Sequence, residues 1–178
     1  MKVSIMDIFD YIQNISNERG SVLIMLVGCP HSGKTHLSNY LKHSFDYTIY
    51  SASDNFKRIH AIKSKDSITE IDKDDIYDAM HEEVRDLLNK GETVVYDSTN
   101  VYSKWRKRLL RDVGNASSYN VCIILNTPLH ICLEKNLTCD EPVSEEAMIR
   151  MHQAARKIPP NVYEGFDLIF PIDQWERI

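Results

Sequence analysis

Six apolar residues, VLIMLV (22–27), run directly into GCPHSGKT (28–35), and that octapeptide runs into HLSNYLKHSF (36–45). The octapeptide has the pattern G-x-x-x-x-G-K-[ST], with Gly28, Gly33, Lys34 and Thr35 in the fixed places. An apolar β-branched run before it and a helix-like pattern after it confine this stretch to strand, loop and helix. A loop of this kind turns its backbone N–H groups inward around phosphates. Gly28 permits the tight turn after the strand, and Gly33 lets the backbone approach a phosphate closely. Lys34 is placed to reach β- and γ-phosphates and the Thr35 hydroxyl to bind Mg²⁺, which makes ATP and Mg²⁺ the expected cofactors. The helix that starts near Lys34 aims its N-terminus at the anion. The expected nucleotide-binding set is therefore Gly28, Cys29, Pro30, His31, Ser32, Gly33, Lys34, Thr35 and His36. Two readings of His31 stay open: contact with the phosphoryl groups, or a solvated or stacked ring.

Further short apolar runs follow: YTIYS (47–51), TVVYD (93–97), VCIIL (121–125) and DLIFP (167–171). Short, continuous and rich in β-branched residues, they have the pattern of strands buried on both faces of a parallel sheet. Helix-like patterns lie between them at about 34–44, 75–90, 103–113, 129–137 and 144–157. Ile5, Ile8, Phe9, Ile12 and Ile15 recur at helical spacing, which predicts an amphipathic helix over roughly 3–18, ended near Gly20. This alternation predicts a three-layer α/β fold with a central, mostly parallel, five-stranded sheet and an extra N-terminal helix. The length of 178 residues suggests one domain over 1–178. In such sheets ligands bind beyond the carboxyl ends of the strands.

The residues just after the second and third strands carry candidate chemistry. In SASDNFKR (51–58), Asp54 and Lys57 lie three apart, on one face if a helical turn starts there. A carboxylate beside a γ-phosphate can take the proton from an acceptor hydroxyl, and Lys57 can hold an anion on the acceptor. A plain helix cap is the alternative for Asp54. In VVYDSTN (94–100), Asp97 ends an apolar strand where a Mg²⁺-holding carboxylate is needed, the alternative being a purely structural aspartate. Thr99 and Asn100 can cap the next helix. That helix, with Lys104, Arg106, Lys107, Arg108 and Arg111, offers a basic face, at least one residue of which starts beside the phosphate loop. The polar stretch 60–75 is either a solvated loop or one wall of an acceptor groove.

The net charge of −5 gives no global field to draw in nucleic acid, though a local basic patch would suffice. Cys29, Cys122, Cys132 and Cys139 form no C-x-x-C pair, which fits reduced thiols in the cytoplasm. No apolar run approaches membrane-spanning length.

GCPHSGKT, SDNFKR, VVYDSTN with an arginine six positions after its asparagine, VCIILNTP and PPNVYEGFDLI together resemble one family. It is the family of P-loop kinase domains that includes the 5′-polynucleotide kinases of phages and of bacterial RNA-repair enzymes. The resemblance covers roughly residues 22–172, and the combination of D-x-x-[KR], D-[AS]-T-N and E-G-F-D is more specific than the phosphate loop alone. It implies a P-loop NTPase fold with Lys34 and Thr35 on ATP and Mg²⁺, Asp54 as general base for a 5′-hydroxyl, Asp97 at the metal, and Arg106 on a family arginine. Lys57 stands where the family carries an arginine that grips the acceptor's 3′-phosphate. Lysine keeps the charge but loses the bidentate fork, and Arg58 is the substitute a small shift away. The arginine-rich lid of the family corresponds to 132–157, where Lys135 replaces one arginine and Cys139 lies near another. This lid-like segment is acidic at Asp140, Glu141, Glu145 and Glu146, and its Arg150 and Arg156 come late.

The expected function is transfer of the ATP γ-phosphate to a hydroxyl, with DNA or RNA 5′-OH ends as the first acceptor. Two alternatives stand beside it: a small-metabolite or nucleoside/nucleotide kinase, and an ATP-binding interaction module with little catalysis. The expected location is the cytoplasm, or a host's cytoplasm for a phage-encoded chain. The acceptor and the oligomeric state are left open.

Overall fold

The computed structural model describes residues 5–66 and 72–173. Its elements run α1 (Ile5–Arg19), β1 (Val22–Val27), α2 (Lys34–Phe45), β2 (Thr48–Ser51), α3 (Ala52–Asp66), α4 (Lys73–Asn89), β3 (Val94–Asp97), α5 (Ser103–Val113), β4 (Tyr119–Leu125), α6 (Leu129–Asn136), α7 (Glu145–Lys157) and β5 (Leu168–Ile172). The five strands form one sheet in the order β2-β3-β1-β4-β5, every pairing parallel. The expected three-layer α/β fold with an added N-terminal helix is what forms, and the sheet is wholly parallel.

The strand sequences explain the sheet's position. All six residues of β1 are fully buried, because helices cover both faces of the central strand. On one face, Ile8, Phe9, Ile12 and Ile15 of α1 join Leu37 and Leu41 of α2 over Ile24, Leu26 and Val121. Burying a side chain such as Phe9 or Ile12 contributes about 1.5–3 kcal/mol. On the other face, Ile76, Met80, Val84 and Leu88 of α4 join Leu109, Leu110 and Val113 of α5 over Leu23, Met25 and Val94. Register places Ser51 of β2 beside Asp97 of β3, so the expected site residues emerge along one sheet edge.

Two local expectations change. The 60–75 stretch is helical through Asp66, where α3 ends; residues 67–71, and residues 3–4 of the expected first helix, lie outside the described residues. Helix α3 escaped the periodicity because its apolar side is narrow: Ile59 is buried, and Phe56 packs on Tyr77 with ring centroids 5.5 Å apart. Thr99 and Asn100 do not cap α5, whose N-cap is Tyr102 without a side-chain bond. Among the described residues no helix is long and apolar enough to cross a membrane.

Candidate active site

The phosphate loop is built by close approach. The Gly28 N–H donates to the Thr99 carbonyl at 3.0 Å. A Cβ at Gly28 would lie 2.5 Å from Ser32 Oγ and 3.2 Å from the Leu125 carbonyl, so only glycine fits. Gly33 has φ 98°, a left-handed conformation that L side chains avoid, and from there α2 begins. The first turn of α2 carries no acidic residue, leaving its positive end open to an anion.

Lys34 is 8% exposed and folds back on its own loop. Its Nζ donates to the Gly28 carbonyl at 3.0 Å, the Cys29 carbonyl at 2.7 Å and Ser32 Oγ at 3.4 Å. Burial pushes this ammonium below the usual lysine range, with Asp97 opposing the shift. Asp97 Oδ2 accepts from Ser38 Oγ at 3.1 Å, and the same hydroxyl lies 3.0 Å from the Lys34 carbonyl. A cavity of about 520 Å³ opens above, lined by Pro30, His31, Gly33, Lys34, Thr35 and His36 from the loop, Ser51 and Ser53 after β2, Asp97, Ser98 and Thr99 after β3, and Lys135. Cys29 and Ser32 turn away from this cavity. The Cys29 thiol packs with Cys132 and Met148, and its hydrogen bond with Cys132 and its burial push it up. Thr127 Oγ1 donates to the Ser32 carbonyl at 2.8 Å.

Asp54 and Lys57 do not line this cavity, although Ser51 and Ser53 just before them do. Asp54 is exposed in the first turn of α3, and its N–H points to Ser51 Oγ at 3.4 Å. Ser51 therefore takes the capping position, and the Asp54 carboxylate has no partner among the described residues. Lys57 Nζ lies 3.8 Å from Glu141 Oε2, with both side chains largely in water. Arg58 does not take its place, since it is held by Glu83 at 2.5 Å and by Asn55.

The structure does not bring Arg106 into the cavity. Its side chain is fully buried, and each of its five N–H groups has an acceptor. Nε and Nη2 bind the Glu164 carboxylate at 2.7 Å each, Nη1 binds the Asn100 and Val101 carbonyls at 3.1 and 3.0 Å, and Nη2 also reaches the Ile158 carbonyl at 2.8 Å. Asn100 itself adopts φ 47°, and its Nδ2 donates to the Leu26 carbonyl at 2.8 Å. The D-S-T-N and E-G-F-D segments are thus two halves of one buried network that staples the loop after β3 to the phosphate loop.

Sequence reasoning missed Asn136. This 6%-exposed amide sits at the end of α6. Its Oδ1 accepts from Val143 N–H at 2.9 Å and lies 3.0 Å from His31 Nε2, while Nδ2 donates to the Val143 carbonyl at 2.7 Å. His31, half-buried, lines the cavity and links the phosphate loop to the 136–143 turn. Of the remaining basic residues of α5, Arg108 turns to Asp74 and Asp78, Arg111 to Asp112 and Lys104 over Trp105, while Lys107 is exposed.

Comparison with known proteins places these features in context. The model of a family described as "AAA domain" matches residues 23–158. Protein Kti12 of Schizosaccharomyces pombe is 25% identical over 135 residues, which are 71% of this chain and 48% of that protein. The chain thus spans about half the length of this curated relative. The crystal structure of Chaetomium thermophilum Kti12 in complex with ADP-AlF3 aligns with a TM-score of 0.64 at 20% identity, covering 86% of this chain and 89% of that one. A chain of the Pnkp1/Rnl/Hen1 RNA repair complex aligns with a TM-score of 0.64 at 17% identity, covering 83% of this chain and 47% of that one. At these identities the two structures establish a shared fold. The RNA-repair likeness expected from the motifs is therefore met in architecture, while the sequence match falls on a Kti12.

Proposed function

Since this chain belongs to the AAA domain family, we propose that it is an ATP-dependent phosphotransferase that moves the γ-phosphate to an acceptor hydroxyl. The observation that carries this reading is the single cavity joining the loop Gly33–His36, the Asp97 side chain and the start of α3. ADP-AlF3 bound to a Kti12 of the same fold supports a nucleotide on this loop.

The steps follow from the side chains. Loop N–H groups and the α2 N-terminus receive the phosphates. Lys34 leaves the Gly28 and Cys29 carbonyls for a phosphate oxygen, a better partner for a buried ammonium than neutral carbonyls. Thr35 is exposed at the cavity, and Asp97 with Ser38 adds oxygen donors beneath it. Among the described residues no cluster of three His, Cys, Asp or Glu forms a protein cage for a metal. A sparse oxygen set suits Mg²⁺, which keeps several waters and takes phosphate ligands. Thr35 and Asp97 would hold it, and the ion would neutralise charge on the transferring phosphoryl group. Asp54, exposed without a partner among the described residues and next to the cavity-lining Ser53, takes the acceptor proton.

The first acceptor is the 5′-OH end of DNA or RNA, with Lys57 on its phosphate. One observation favours a second reading, a smaller nucleoside-like acceptor: Lys57 already faces Glu141, and Arg58 faces Glu83. Labelled ATP offered with 5′-OH oligonucleotides, a nucleoside 3′-monophosphate and plain nucleosides separates the two. Transfer to any of them, lost in Lys34→Ala, is the expected result. Nucleotide binding without transfer to any acceptor would replace this reading with an ATP-binding module.

A further inference from the structure

Between α4 and α5 lies a second cavity of about 180 Å³. Its walls are rings: Tyr77 and Trp105 stack on one another at 5.4 Å and 25°, and Tyr102 borders the opening at 38% exposure. Ser98 and Thr99 line this cavity and also the phosphate-side cavity, so the two spaces meet at the loop after β3.

Two polar groups border the cavity from within. His81 is 4% exposed, with Nδ1 2.7 Å from Asp112 Oδ2. Burial holds its imidazole below the ordinary value, so at neutral pH it carries one proton. The Asp112 carboxylate can only accept, which fixes that proton on Nδ1 and leaves Nε2 with a lone pair. Tyr96, 4% exposed, keeps its phenolic proton because burial pushes its pKa up. Neither Nε2 nor the Tyr96 hydroxyl has a partner among the described residues. The nearby cation Arg108 is already held by Asp74 and Asp78, so nothing here calls for an anion.

We infer that this cavity receives the heterocyclic ring of the phosphate acceptor: a nucleobase that donates an N–H to His81 Nε2, accepts from the Tyr96 hydroxyl and lies against Tyr77 and Trp105. Its sugar hydroxyl then reaches the phosphate side past Ser98 and Thr99. A flat aromatic wall beside one acceptor and one donor matches the edge of a base, which carries both kinds of group. The volume equals about six waters at their liquid share and so admits one ring system, not a second nucleotide. A free nucleoside and a 5′-terminal nucleotide share this chemistry. The inference rests on the phosphotransferase reading for its acceptor.

The test uses the full chain carrying Trp175→Phe, which leaves Trp105 as the one tryptophan. A non-hydrolysable ATP analogue is added, and the four ribonucleosides, a 5′-OH dinucleotide and methyl riboside are titrated while Trp105 fluorescence is read. At least one nucleoside or the dinucleotide should quench it and methyl riboside should not. His81→Phe and Tyr102→Ala should each weaken that binding, and raise the acceptor KM, by about tenfold or more. Tyr102→Ala serves if His81→Phe does not fold, because Tyr102 is at the rim. No quenching by any base, or unchanged affinity and KM in both variants, would overturn the inference. Ring binding without phosphoryl transfer would uphold this cavity and end the kinase reading. Transfer with unaltered KM in the variants would do the reverse.

Discussion

Arg106 and Glu164 meet at 2.7 Å with side chains 0% and 1% exposed, whereas Lys57 and Glu141 approach only to 3.8 Å with 73% and 89% exposed. The first pair has every donor engaged and fixes the loop after β3 against the phosphate loop. The second lies in solvent, where an ion pair is worth about 0–1 kcal/mol. The loop beside the phosphate-binding motif is thus assembled by the fold itself, while the start of α3 meets the 136–143 turn through a contact that solvent loosens.

The largest expected effect lies on the buried side. Glu164→Ala leaves a guanidinium buried without its carboxylate, and should lower unfolding free energy by about 3–5 kcal/mol in urea titrations. A loss below about 1 kcal/mol would mean that the network is not what fixes the loop. Asp54→Asn should sharpen the contrast from the other side. It should cut phosphoryl transfer by about 10²–10⁴-fold while leaving the urea midpoint and ATP affinity unaltered, since the carboxylate is exposed. Parental transfer rates in that variant would remove the general-base role.

A smaller effect concerns pH. His81 has its folded pKa held below the ordinary value by burial. The unfolded chain takes up a proton as pH falls through about 6.5 while the folded chain resists. Stability should therefore be complete above that pH and decline as pH drops toward and through the folded value. His152 shifts in the same direction, so the quantity to compare is the slope of parent against His81→Gln. Equal slopes would show that His81 contributes nothing. The smallest effect is expected at the exposed pair. Glu141→Gln should change stability by less than about 0.5 kcal/mol. By releasing Lys57 it should lower the KM of phosphate-bearing acceptors a few-fold, and a raised KM would show that Glu141 helps the acceptor bind.

The fold was legible because its signals are local. An apolar run, two glycines with distinct backbone demands and a lysine at fixed spacing place β1, the loop and α2 without reference to anything distant. The site was legible up to the strand ends and no further. Asp97 could be located from β3 alone. The burial of Arg106 could not, because it depends on Glu164, 58 positions away. A basic helix segment looks the same in sequence whether its middle arginine faces solvent or a buried carboxylate. Asn136 and His81 were invisible for the same reason, as their partners Val143, His31 and Asp112 lie on other elements. Helix α3 was lost to a different cause: its core-facing side is too narrow for periodicity to register.

The distance between Arg106 and Glu164 also bears on how the chain is made. At about 5–20 residues per second, a ribosome needs roughly 3–12 s to add the 58 residues that separate them. During that interval β1, the phosphate loop and β3 already exist, but the guanidinium that must be buried beneath them has no carboxylate to meet. Until Glu164 is added, the nascent chain lacks the carboxylate that pairs with Arg106. A polypeptide that stops short of it carries a complete phosphate-loop motif without the buried Arg106–Glu164 pair.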